Sequence, residues 1–298
     1  SKGAAGYRLD VADELPDQFL NNLRRSVKSF SQDKVIIGEV WEDASNKESY
    51  GIKRRYLLGY QLDSVMNYPF REAIIKFLKG GDPKEFIFSI MTIVENYPRH
   101  TVHTLMNFVS THDIERAINR LGGDNCEGMS KEWQAERYLT DEQYQYGKNL
   151  LKAAFALIYF LPGVPSIYYG DEAGMQGYKD PFNRRCYPWG NEDQELISYV
   201  RELGRVRKSI PNLKCGRTYF VLNEENVVDG RVAAFTRQGD EMDYIFFINR
   251  SGEEAAIGNM SSHLSRFENL TACYGRFEND TVYVPPYGYT IINAKFVK

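Results

Sequence analysis

The chain has 298 residues, 43% of them hydrophobic and 26% charged, with a formal net charge of −3. That is globular material, long enough for one large domain and a small one, and its scattered Lys and Arg argue against the basic stripe that a nucleic-acid backbone requires. Cys126, Cys186, Cys215 and Cys273 form no CxxC or Cys/His cluster, which argues against structural zinc and leaves free thiols as the expectation.

The first predicted strand lies in AAGYRLDVADE, Ala4 to Glu14. Alternation sends Tyr7, Leu9 and Val11 to one face and brings Arg8 and Asp10 together on the other. DELPDQFLNNLRRSVKSF then has helical spacing, with Leu15, Phe19, Leu23 and Val27 each four apart. KVIIGEVW reads as a continuous apolar strand and LDSVMNYPF as a short one, followed by helices around REAIIKFLK and DPKEFIFSIMTIVENY. TLMNFVSTHD is the next strand and YQYGKNLLKAAFALIYF the next helix. SIYYGDE is again a predicted strand, and DQELISYVRELGRVRKSI a helix. The apolar stretch from Ala153 is broken by Pro162 and Pro165, so it reads as a buried helix running into a strand, not as a membrane span. No signal peptide is visible; location is undetermined, with the cytoplasm favoured.

Five strands alternating with helices predict an α/β fold with a parallel sheet and right-handed crossovers. After Pro211 the texture changes to short alternating runs separated by Asn, Gly and Asp. Residues 212–298 are therefore predicted to form an all-β antiparallel sandwich.

Polar residues collect at the C-terminal ends of the predicted strands: Arg8 and Asp10, Glu39, Asn67, His112 and Asp113, Asp171 and Glu172. That is the face on which α/β folds build chemistry. Asp10 and Glu39 are 29 positions apart, one strand–helix–loop repeat, which puts them at one level on adjacent strands. Paired carboxylates on one rim are the minimum equipment for glycoside hydrolysis. Arg8 is expected to hold Asp10 ionised, while partial desolvation beside Val40 and Trp41 would keep a proton on Glu39. The residues alone leave plainer readings open. Arg–Asp two apart is often a structural ion pair, and an acid after a strand often caps the next helix. His112–Asp113 reads equally well as a capped turn, and Asp171–Glu172 as a turn and helix start. Trp41, Tyr68 and Trp189 lie near strand ends, where aromatic rings can stack on sugar faces.

These residues resemble a family. GYRLDVADE is similar to the strand-four motif of the α-amylase family of glycoside hydrolases, IIGEVWEDA to its strand-five motif, FVSTHD to strand seven and GVPSIYYGDE to strand eight. The forms GYRLDVADE and DPFNRRCYPW are nearest the neopullulanase, cyclomaltodextrinase and maltogenic amylase branch. The resemblance implies that residues 1–211 are the C-terminal part of a (β/α)8 TIM barrel, strands four to eight, with the sandwich of 212–298 behind it. It implies a retaining hydrolase acting on α-glucosidic bonds of starch-type glucans or maltooligosaccharides. Asp10 would be the nucleophile and Glu39 the acid/base. Asp113 would bind hydroxyls of the sugar being cleaved, with Arg8 and His112 in support. Trp41 would contact substrate, and Asp180 and Arg184 a neighbouring glucose on the non-reducing side. No cofactor is implied; calcium, which several family members hold in a loop domain after the third strand, is possible in a longer parent.

The family's first three strands and its Asp-x-x-x-Asn-His motif have no counterpart here, so a truncated barrel with two unpaired strand edges is expected. Such edges invite pairing with another chain, and loss of substrate-positioning groups predicts weak activity or none for the chain alone. Two other readings remain. One is a non-catalytic glucan-binding or interaction fragment. The other is an open-sheet enzyme such as a nucleotide binder, which would want a Gly-rich phosphate loop that the sequence lacks.

Overall fold

In the computed structural model, which describes residues 3–222 and 228–296, β1 (Gly6–Leu9) lies parallel to β2 (Val35–Gly38), with Leu9 opposite Gly38. Between them runs α1 (Asp17–Phe30), held to the strands by buried Leu20 and Val27. After β2 the chain makes a small hairpin, β3 (Glu48–Ser49) with β4 (Ile52–Lys53). It then returns as β5 (Ser64–Val65), parallel to β2. A parallel bridge from Met66 to Met106 carries the order on to β6 (Met106–Asn107), which pairs with β7 (Val164–Pro165). Four of the five expected parallel strands lie where the sequence places them and the fifth, β7, lies just before its expected place, giving the order β1-β2-β5-β6-β7. Among the described residues β1 pairs only with β2, and β7 only with β6.

Three helices, α2 (Tyr68–Leu78), α3 (Pro83–Asn96) and α4 (Arg99–Thr104), connect β5 to β6. Asn67 starts the first of them by accepting a hydrogen bond from the Phe70 amide, with a proline inside the first turn. Three more, α5 (Ala117–Gly122), α6 (Lys131–Glu136) and α7 (Asp141–Phe160), connect β6 to β7. Thr140 and Gln143 close a capping box at the start of α7. The second half of α7 is apolar all round because it is covered on every side. Phe160, at its end, packs 4.9 Å from Phe246 and 5.1 Å from Tyr289. α8 (Gln194–Ser209) and α9 (Asn212–Cys215) follow β7. No helix among the described residues is long and apolar enough to cross a membrane. All four cysteines are free thiols.

The strand expected at SIYYGDE is displaced. Its ladder is the preceding Val164–Pro165 and ends once the Ser166 amide has bonded the Asn107 carbonyl. The two tyrosines then bend away because a buried guanidinium draws them. Arg116 lies 4.3 Å from the Tyr168 ring and 4.8 Å from that of Tyr169, and it also bonds the Tyr169 carbonyl.

The C-terminal part holds two antiparallel sheets. β8 (Arg217–Phe220), β9 (Val232–Gln238), β10 (Asp243–Asn249), β12 (Phe267–Tyr274) and β15 (Tyr289–Phe296) form the larger, in the order β12-β15-β10-β9-β8. β11 (Ala255–Ile257), β13 (Arg276–Glu278) and β14 (Thr281–Val284) form the smaller, with α10 (Met260–His263) beside it. Alternation along β10 serves two interfaces. Ile245 and Phe247 join Ile257, Val282 and Val284 of the small sheet in one cluster. Phe246 and Ile248 face the other way, into the core that contains α7. Arg237, fully buried, donates to the carbonyls of Phe160, Asn212 and Leu213 and ties the two parts together.

Candidate active site

The register of β1 and β2 builds the first half of the site. Leu9 lies opposite Gly38, so the next residues, Asp10 and Glu39, leave the sheet side by side. Gly38 is needed there, since a side chain would run into Leu62 and Ala12. Directly after Asp10 the backbone turns at Val11, which takes a left-handed φ of 42°. That costly conformation for a β-branched residue lets the Val11 amide donate to Glu39 Oε2 at 2.8 Å.

Arg8 stands between the two acids. Its Nη1 lies 2.5 Å from Asp10 Oδ1 and its Nη2 lies 3.1 Å from Glu39 Oε2, while Nε donates to the Met66 sulfur at 3.4 Å. The arginine therefore serves both carboxylates, not Asp10 alone as its spacing suggested. Their surroundings differ sharply: the Asp10 side chain is 75% exposed and that of Glu39 only 6%. Glu39 is held at both oxygens, since Trp41 Nε1 donates to Oε1 at 3.1 Å.

Trp41 in turn stacks on Tyr68, with ring centroids 4.2 Å apart and planes 12° from parallel. Phe108 meets Tyr68 edge-on at 4.8 Å. Tyr68 is thus buried beneath Trp41 and is no platform for a sugar; its role is to fix the indole. Burial pushes the Tyr68 hydroxyl up to about 12, and the charges of Glu39 and Asp113 add to this while Arg8 opposes it. Trp189 does remain open to solvent, beside the Tyr187 ring.

The second half of the site follows β6. His112 Nε2 lies 3.3 Å from Asp113 Oδ1, and Arg184 Nη2 lies 3.9 Å from the same oxygen. Arg184 Nε contacts Asp180 at 2.8 Å and the His112 carbonyl at 3.0 Å. Asp180, Arg184, His112 and Asp113 therefore form one cluster. The other carboxylate oxygen of Asp113 is buried and has no hydrogen-bond partner among the described residues. An acceptor left bare in this way is a place for a ligand hydroxyl.

A third group, which sequence reasoning missed, holds these loops. Arg116 is fully buried and donates to Asp171 at 2.9 Å and to the Asn183 carbonyl at 3.0 Å. The Asn183 amide reaches the carbonyls of His112 at 2.9 Å and Ile114 at 2.7 Å. Burial pushes the Asp171 carboxyl up to about 6 against the attraction of Arg116. The turn that the sequence suggests at Asp171 is present as a short 3-10 turn. The burial of Asp171 against Arg116 had no sequence signal. Among the described residues no group of three or more His, Cys, Asp or Glu is placed to hold a metal ion.

Residues 1–211 match the family described as "Alpha amylase, catalytic domain". A cyclomaltodextrinase from Geobacillus thermopakistaniensis is 31% identical over 297 residues, covering 96% of this chain and 44% of its own. Neopullulanase 2 from Thermoactinomyces vulgaris is 32% identical over 262 residues, covering 86% and 38%. This chain spans less than half the length of these curated relatives. Among solved structures, a cyclic alpha-maltosyl-(1→6)-maltose hydrolase from Arthrobacter globiformis superposes with a TM-score of 0.76 over 98% of this chain and 56% of that one. At 24% identity that likeness speaks for the fold alone.

Proposed function

The chain belongs to the α-amylase family of glycoside hydrolases, and from that premise we propose that its carboxylates cleave α-glucosidic bonds with retention. The observation that carries this is the single guanidinium of Arg8 laid against one exposed and one buried acid at the same level of adjacent strands. The relatives' names point to maltooligosaccharides, cyclodextrins or pullulan as the substrate class.

In this reading exposed Asp10 attacks the anomeric carbon. Glu39, fixed by Trp41 and the Val11 amide, gives its proton to the departing glycosidic oxygen. A glycosyl ester on Asp10 results. Glu39 then takes a proton from water, whose oxygen attacks the same carbon and frees Asp10. The bare oxygen of Asp113 accepts a sugar hydroxyl, His112 and Arg184 hold that carboxylate in place, and Asp180 and Arg184 meet the next glucose. Residues 1–211 supply strands four to eight of a (β/α)8 barrel and 212–298 a β-sandwich. The free edges of β1 and β7 are where further strands, or a second copy, would pair.

Hydrolysis of a nitrophenyl maltooligosaccharide tests the assignment. Asp10→Asn is expected to lower turnover by about a thousandfold or more. A parent chain that turns over, beside an Asp10→Asn variant of equal rate, would contradict it.

A further inference from the structure

A cavity of about 470 Å³ lies between α1 and residues 55–61, lined by Arg24, Arg25 and Lys28 on one side and Arg55, Tyr60 and Gln61 on the other. It is remote from the carboxylates. Asp63, which anchors this region, accepts from the Ile36 amide near the start of β2, whereas Glu39 follows the end of that strand.

The lining carries more positive charge than its neighbours neutralise. Arg24 and Lys28 share Asp63, at 2.8 and 2.9 Å, and Arg55 meets Asp17 at 3.3 Å. Arg25 is exposed on the same helix, and among the described residues it forms no ion pair, unlike Arg24 and Lys28. A second, independent feature lies in the wall. Gln61 is 1% exposed, yet among the described residues neither its amide nitrogen nor its amide oxygen has a hydrogen-bond partner. The side-chain oxygen of Asn21, also in the lining, is buried and bare as well. Folded proteins rarely leave a carboxamide buried with both ends unbonded.

The two features specify one ligand chemistry. Guanidinium groups with spare donors match the planar, multidentate demand of a phosphate. Carboxamides, which donate and accept, match hydroxyls. The ring of Tyr60, 73% exposed at the rim, offers an apolar face to a pyranose. The volume is that of a small-molecule site and exceeds the needs of a lone phosphate. We propose that this cavity binds a phosphorylated monosaccharide, its phosphate on Arg25 and the neighbouring cations and its hydroxyls on Gln61 and Asn21. The site is independent of the catalytic reading.

Calorimetric titration of the chain with glucose 6-phosphate, inorganic phosphate and mannitol, an unphosphorylated polyol that is no glucan, tests it. Glucose 6-phosphate is expected to bind, phosphate more weakly, and mannitol not at all. Arg25→Ala and Gln61→Leu are each expected to weaken glucose 6-phosphate roughly tenfold or more. The Gln61→Leu chain should melt no lower than the parent, because an apolar residue of similar size replaces an unsatisfied polar one. No binding of glucose 6-phosphate at millimolar concentration, or undiminished affinity in both variants, would overturn the proposal. So would mannitol binding as tightly, and phosphate binding as tightly would overturn its sugar half.

Discussion

Glu39→Gln is expected to lower hydrolysis of maltooligosaccharides by about a thousandfold, while a glucosyl fluoride loses much less. A sugar alkoxide is a poor leaving group and needs a proton as the bond breaks; fluoride departs without one. Glutamine keeps the shape of the side chain, so the Trp41 stack on Tyr68 remains, and Arg8 retains Asp10 as its partner. What is lost is the proton and one acceptor, since the Val11 and Trp41 N–H groups cannot both be met by one amide oxygen. The contrast between substrates separates acid catalysis from damage to the site, because a distorted Asp10 would slow both alike. Equal losses on the two substrates would remove Glu39 from the role of acid.

Arg116→Ala is expected to be the most destabilising single change among the site's supports, at about 3–5 kcal/mol. The side chains of Arg116 and Asp171 are 0% and 2% exposed. Removing the guanidinium leaves Asp171 without its counter-charge, takes the donor from the Tyr169 carbonyl and leaves that of Asn183 only the longer contact from the Tyr168 hydroxyl. For a chain of this size the corresponding drop in melting temperature is roughly 10 °C. Arg116→Lys keeps the charge but cannot fork to three acceptors, and should fall between alanine and the parent. The loops that carry Asp113 and Arg184 are pinned through Asn183, so activity should fall with stability. A melting temperature unchanged by Arg116→Ala would contradict this account of the loops.

The pair Asp10 and Glu39 was legible because a strand–helix–strand repeat has a fixed register. Residues 29 apart in sequence become neighbours when Leu9 faces Gly38. The cluster of His112, Asp113, Asp180 and Arg184 was legible only through the family resemblance, since nothing local in DPFNRR says which loop it will meet. Tyr68 was misjudged because periodicity gives the level of a residue but not what lies on top of it. Arg116 was invisible for a related reason. A charged residue after HDIE reads as surface, and only the fold brings Asp171, Asn183 and two tyrosine rings around it. The displaced strand at SIYYGDE has the same origin: an apolar, β-prone run is overruled by a cation that its tyrosines cover.

The most direct measurement is to trap the intermediate. The chain, and its Glu39→Gln variant in which the second step is slowed, would be treated with a 5-fluoro α-glucosyl fluoride, digested and weighed by mass spectrometry. The expected result is a glycosyl adduct on the peptide containing Asp10, absent from Asp10→Asn. Fluoride released with no adduct and an inverted sugar product, or an adduct on Asp113, would contradict the assignment of Asp10 as nucleophile.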